Sequence, residues 1–131
     1  MKVDQQTNFV VVDKEAISLF SLIADGQYRN TRLGREKWKG LISGASLQTA
    51  CSKEGFNAVC DGDTEYYSKA RIGIVANQED NCKSCDSRIG FGTAGYFDDE
   101  NTCGNQADNG GSLNPDNGAR HTKVMGFIFV Q

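Results

Sequence analysis

The chain has 131 residues with 14 Lys and Arg against 17 Asp and Glu, a net charge of −3 that lacks the basic surplus of a nucleic-acid binder. Its mass of 14.3 kDa and mean hydropathy of −0.49 fit one domain with a modest core. No apolar run approaches the ~18 residues of a membrane span. The opening Met1–Gln6 is polar and has no signal h-region, so the expectation is either a cytosolic protein or a mature form whose leader has been removed. There are 15 glycines and one proline, so loops are built from Gly, Asn and Asp.

Taken in chain order, Phe9–Val12 reads as a short buried strand. Asp13 is placed to cap a helix over 14–24, with Ile17, Phe20, Leu22 and Ile23 roughly on one face. The same stretch also fits the second strand of a hairpin. Residues 29–39 carry Arg29, Arg32, Arg35, Lys37 and Lys39 against Glu36 alone, a pattern more typical of a solvated face than of a partner site. Residues 35–42 fit a short helix or turn with Trp38, Leu41 and Ile42 inward. Tyr66 and Tyr67 flank a polar turn. Ala70–Ala76 alternates and is β-branched, which predicts a strand. Lys123–Gln131 predicts the strongest strand, covered on both faces and central in a sheet.

Between those two strands, residues 77–122 show almost no periodicity. Within them, 79–118 hold eight acids against Lys83 and Arg88, a local charge of −6, together with six asparagines. A run of this length inside a compact domain is uncommon and usually functional. It contains three cysteines, Ile89, Tyr96 and Phe97, residues in which disordered chains are poor. The expectation is a segment ordered by something other than apolar burial.

A hard divalent cation would relieve the repulsion among those acids. Calcium takes six to eight oxygens from carboxylates, amides and carbonyls in flexible geometry. Asp98, Asp99, Glu100 and Asn101, then Asn105 and Asp108, have that chemistry, and Asp86 is placed to join across the fold. The spacing is not that of an EF-hand. A solvated polar loop with no ligand is the simpler alternative. Zinc is another, through Cys82, Cys85, Cys103 and His121, although only one CxxC is present. A thioredoxin-like pair is disfavoured because a glycine-rich run follows the CxxC instead of a helix. No phosphate-binding glycine loop and no local triad signature occur.

Five cysteines, Cys51, Cys60, Cys82, Cys85 and Cys103, are ordinary for a secreted chain and rich for a cytosolic one. An odd number leaves one thiol for an intermolecular bridge or as a free thiol, and the pairing is open among 15 choices.

Several stretches carry a resemblance. They are W-K-G-L-I-S-G-A-S-L-Q (38–48), A-R-I-G-I-V-A-N-Q-E-D-N-C (70–82), D-S-R-I-G-F-G (86–92), N-T-C-G-N (101–105) and the ending M-G-F-I-F-V-Q. Together they resemble secreted cnidarian domains, among them the calcium-dependent galactose-binding lectins of sea anemones. The likeness covers most of the chain from about residue 30 onward. A more distant resemblance is to the C-terminal part of intelectins, which share the fibrinogen-related fold. It rests on Ile89-Gly-Phe-Gly-Thr-Ala-Gly-Tyr-Phe-Asp-Asp99 and Cys103-Gly-Asn105.

That resemblance implies calcium-binding roles for Asp99 and Asn105, with the intelectin histidine falling near Asp86. This chain departs from the pattern at Asn105, where the family has Asp, and is shorter than a full fibrinogen-related domain. The resulting expectation is an α+β fold, mainly strands with long glycine-rich calcium-ordered loops, forming a single carbohydrate-recognition domain over residues 1–131. The metal candidates are Asp86, Asp98, Asp99, Asn105 and Asp108. The sugar candidates are Asp99, Asn105, Tyr96, Phe97 and His121. The implied function is non-enzymatic, secreted and galactose-binding, acting as a dimer that cross-links glycans. Two alternatives stand beside it: an extracellular matrix module with structural calcium, and a small zinc or thiol enzyme.

Overall fold

A computed structural model describes residues 7–62, 66–95, 103–109 and 114–131. In chain order these form α1 (Leu19–Ile23), β1 (Arg29–Asn30), α2 (Arg35–Lys39), β2 (Ser52–Val59), β3 (Lys69–Ala76), β4 (Ser87–Ala94), β5 (Cys103–Ala107) and β6 (Arg120–Lys123). The six strands make one antiparallel sheet in sequential order, β1-β2-β3-β4-β5-β6.

The helices are shorter than the apolar pattern implies. Helix α1 starts at Leu19, not near Asp13, because Ser18 caps it: the Ser21 amide donates to Ser18 Oγ (3.1 Å) and Ser18 N–H donates back to Ser21 Oγ (3.3 Å). Leu22 faces the core and Phe20 is exposed. Helix α2 is fixed by Glu54 on β2. One Glu54 oxygen accepts from Thr31 Oγ1 (2.6 Å), Leu33 N–H (2.9 Å) and Trp38 Nε1 (2.9 Å), and the other from Gly34 N–H (2.8 Å). These bonds seat Trp38 in a core of Leu22, Ala45, Leu47, Phe56, Ile72, Ile74, Ala76 and Ile89. Three of the five bases in residues 29–39 are ion-paired. Arg29 pairs with Asp25, while Arg35 and Lys39 pair with Asp116 (2.9 and 2.7 Å).

The expected strand at 70–76 forms as β3. Two expectations for the chain ends do not hold. Phe9–Val12 lies outside the sheet, with Val10 and Val12 against the core and Phe9 and Val11 outward. The C-terminal run is not a central strand: β6 is the sheet's edge, ends at Lys123, and residues 124–131 follow it as exposed non-sheet chain. The stretch 77–122, aperiodic in sequence, supplies β4, β5 and β6.

The sheet is folded over along a row of glycines. Gly55, Gly73, Gly90 and Gly104 stand in register on four adjacent strands. A Cβ on Gly73 would overlap the Ile89 carbonyl and Gly90 Cα, and one on Gly90 would overlap the Ile72 carbonyl and Gly73 Cα. The consequence appears at one peptide unit. The Cys85 carbonyl accepts from Ser68 N–H (2.9 Å), and the adjoining Asp86 N–H donates to the Ala76 carbonyl (3.0 Å). Ser68 and Ala76 bracket β3, and a straight strand would hold them about 25 Å apart. Sharing one peptide unit brings them to within about 8 Å, so β3 doubles back at its glycine. A second small core fills the crease: Ala58, Cys60, Ala70, Val75 and Cys85. Buried Arg88 spans it, with Nη1 donating to Ser68 Oγ (3.1 Å).

Candidate functional site

Strand register gathers acids at one pole of the sheet. The register Ser87↔Ala107 places Asp86 opposite Asp108, one residue further along each strand. Asp86 is half-buried, and burial is the largest cause pushing its carboxyl up to about 6, followed by the charges of Glu79 and Asp108. Asp108 is ringed by donors. His121 Nε2 lies 2.6 Å from its Oδ1, Gln106 Nε2 donates to its Oδ2 (2.8 Å), and Gln48 Nε2 donates to its carbonyl (3.3 Å). Gln48 and Gln106 are fully buried, yet the Oε1 atoms of both have no hydrogen-bond partner, and neither has that of Gln78. These are buried acceptor oxygens without partners, and the buried Arg88 stands opposite Gln106 in the β4–β5 register.

The fold also carries the root of the acidic β4–β5 connection to this pole. A Cβ on Gly95 would overlap the Tyr67 carbonyl and lie 2.8 Å from Ser68 Cα, and Ser68 N–H bonds the Cys85 carbonyl beside Asp86. These links bring Gly95 within about 11 Å of the Asp86 amide. Tyr96, Phe97, Asp98 and Asp99 lie outside the described residues.

The remaining candidates fall as follows. Asn105 is fully buried, and its amide is already bonded at both ends. Its Oδ1 accepts from Ser46 N–H (2.8 Å), and its Nδ2 donates to the Ser46 and Arg88 carbonyls (2.8 and 3.0 Å). It pins the 43–48 loop to the sheet. The cysteines pair as Cys51–Cys82 and Cys60–Cys85, with Cα separations of 5.4 and 5.9 Å. Cys82 and Cys85 thus belong to separate bridges, so the CxxC is neither a redox pair nor half of a zinc site. Cys103 is the remaining thiol, half-buried, and burial pushes its pKa up. His121 is turned to Asp108.

The donor chemistry fits calcium better than zinc. The available donors are the carboxylates of Asp86 and Asp108 and the unpartnered amide oxygens of Gln48 and Gln106, all oxygen. Among the described residues no group of three or more His, Cys, Asp and Glu converges to hold a metal. Gln48 and Gln106 are not among the sequence candidates, since a buried glutamine is recognisable only once its neighbours are placed.

Comparison with protein-family models, with curated proteins and with solved structures gives no match. Two disulfides are compatible with an extracellular protein. Among the described residues no helix is long and apolar enough to cross a membrane.

Proposed function

We propose that the protein is a secreted calcium-dependent lectin for terminal galactose, acting as a dimer that cross-links glycans. The reading is supported by the resemblance to sea-anemone lectins. The single structural observation that favours it is the oxygen-rich pole at Asp86 and Asp108, next to the root of the acidic glycine loop.

Asp86, Asp108, Gln48 and Gln106 would hold the ion, and the segment holding Asp98 and Asp99 would complete the shell. Bound calcium supplies open coordination positions that two vicinal sugar hydroxyls fill. Asp108, which accepts a hydrogen bond from Gln106 and approaches His121, would also accept from a sugar hydroxyl. Tyr96, Phe97 and His121 are the candidates to flank the sugar's apolar face. Affinity per site is expected between about millimolar and tens of micromolar, because few atoms are buried. Two sites on one particle then give avidity.

The test is retention of non-reduced protein on immobilised lactose. The expected result is retention in calcium and release by EDTA. Retention that persists in EDTA overturns the calcium mechanism. Failure to bind any glycan, with calcium still stabilising the fold, favours the matrix-module reading.

A further inference from the structure

We infer that the C-terminal segment 124–131 is the face through which two copies of this chain associate, pairing edge to edge about a two-fold axis. The segment continues β6, the last strand of the sheet, and no strand lies beyond β6 among the described residues. Val124 N–H donates to the Cys103 carbonyl (3.1 Å), and among the described residues the chain beyond it makes no further backbone hydrogen bond. Its side chains are largely exposed, Met125, Phe127, Phe129 and Val130 at 86%, 72%, 88% and 72%, and Val124 and Ile128 at 39% and 45%. The Phe127 and Phe129 rings lie on one side, with centroids 6.4 Å apart. The backbone is pressed onto the sheet at Gly126, where a Cβ would overlap the Phe91 ring.

This is an exposed apolar segment that prolongs the last strand of the sheet, and among the described residues no strand flanks it, an arrangement that recruits another strand. Three features point to a second copy as the occupant. Residues 124–131 contain no ionisable side chain, so two copies of a chain of net charge −3 meet there without like-charge repulsion. Met125, Phe127, Ile128, Phe129 and Val130 offer roughly 600 Å² per copy, near the ~800 Å² that each partner contributes to a standard interface. An edge segment that meets its own copy antiparallel closes the assembly at two, whereas a heterologous contact would propagate. The inference deepens the proposed dimer and rests on it, but not on sugar binding.

Sedimentation velocity of the intact oxidised chain across about 1–100 μM reads the association directly. The expected species has twice the 14.3 kDa mass. The double substitution Phe127→Asp/Phe129→Asp is expected to raise the dissociation constant at least about 100-fold. Phe20→Asp, at an exposed ring on α1, is expected to leave it unchanged, as is Cys103→Ser. Hydrogen exchange guards against a misfolded variant: in the native chain, amides 125–130 are expected to be protected at high concentration and unprotected on dilution. A monomer at the highest concentration overturns the inference, and so does a dimer that the double substitution leaves intact or that Cys103→Ser abolishes. A monomer that pellets with neutral phosphatidylcholine vesicles overturns it in favour of a lipid surface. Loss of lactose retention with the dimer intact would sink the lectin reading alone.

Discussion

Asp86→Asn is the substitution that separates a cation site from a merely polar corner. In the metal-free protein the Asp86 carboxyl is raised from 3.8 to about 6 by burial and by the charges of Glu79 and Asp108. At 1.36 kcal/mol for each tenfold change in proton affinity, that corresponds to roughly 3 kcal/mol. The side chain is half in water, so screening reduces the contribution to about 1 kcal/mol. Its sign follows from linkage. The folded state holds this proton more tightly than the unfolded state does, so the favourable contribution is present below 3.8 and is lost as pH rises through about 6.

Asparagine keeps the shape and does not ionise. In EDTA at pH 7.5, Asp86→Asn is therefore expected to be the more stable protein by about 1 kcal/mol, a rise of about 3–4 °C in Tm. The advantage is expected to vanish toward pH 4. On the proposed reading calcium is expected to reverse the order: at a hundredfold excess over Kd it is expected to stabilise the native chain by about 2–3 kcal/mol, and the variant to lose most of that gain. Thermal unfolding followed by circular dichroism, with EDTA or calcium at several pH values, measures all four states. The reasoning is refuted if the native chain is the more stable one in EDTA at pH 7.5, or if the difference does not change between pH 4 and 8.

Other substitutions test the frame that holds this pole. Gly90→Ala places a Cβ against the Ile72 carbonyl at a φ of +150°, and the expected outcome is a loss of more than about 4 kcal/mol in urea unfolding. Gly26→Ala, with open space around it, is expected to cost only about 1 kcal/mol by the same measurement. Asn105→Ala removes three buried hydrogen bonds and is expected to cost about 3 kcal/mol. If Asn105 served mainly as a calcium ligand, lactose retention would fall while urea stability stayed. Burial pushes the Glu54 carboxyl up, but bonds from Thr31, Trp38, Gly34 and Leu33 hold it below its ordinary 4.5. Its contribution is therefore present above pH 4.5 and lost as pH falls, and Glu54→Gln is expected to cost about 1–2 kcal/mol near pH 7 and less in acid.

What could be read from sequence followed the physical strength of each signal. β3 is legible because Ala70–Ala76 alternates β-branched residues, and Trp38 is legible as core because a lone indole amid charges must find cover. β4 and β5 are not legible. Their glycines break the period of two, and the doubled sheet buries Arg88, Asn105 and Gln106 at positions a half-buried strand would give to apolar residues. The C-terminal run misleads for the opposite reason. Its apolar pattern describes a covered strand, and among the described residues it is left largely exposed.

The glycine row joins these observations. Four glycines at scattered positions in the chain look like loop residues, because each is read with its sequence neighbours. Placed in register, they form a crease, and the crease brings the start of the β4–β5 connection back toward Asp86. Without it, Asp86 and Gly95 would stand at opposite ends of β4. With it, Ser68 and Cys85 share a hydrogen bond and the root of the acidic β4–β5 connection lies within about 11 Å of the Asp86 amide. Both disulfides tie the same closure, since each links β2 or its flanks to the 82–85 segment. Reduction is therefore expected to open the crease and uncouple Asp86 from Gly95. Calcium-dependent stability would then be lost in reductant even where the Trp38 core persists. Intrinsic tryptophan fluorescence and calcium titration on the same reduced sample distinguish the two, and calcium stabilisation that survives reduction would show that the crease does not assemble the site.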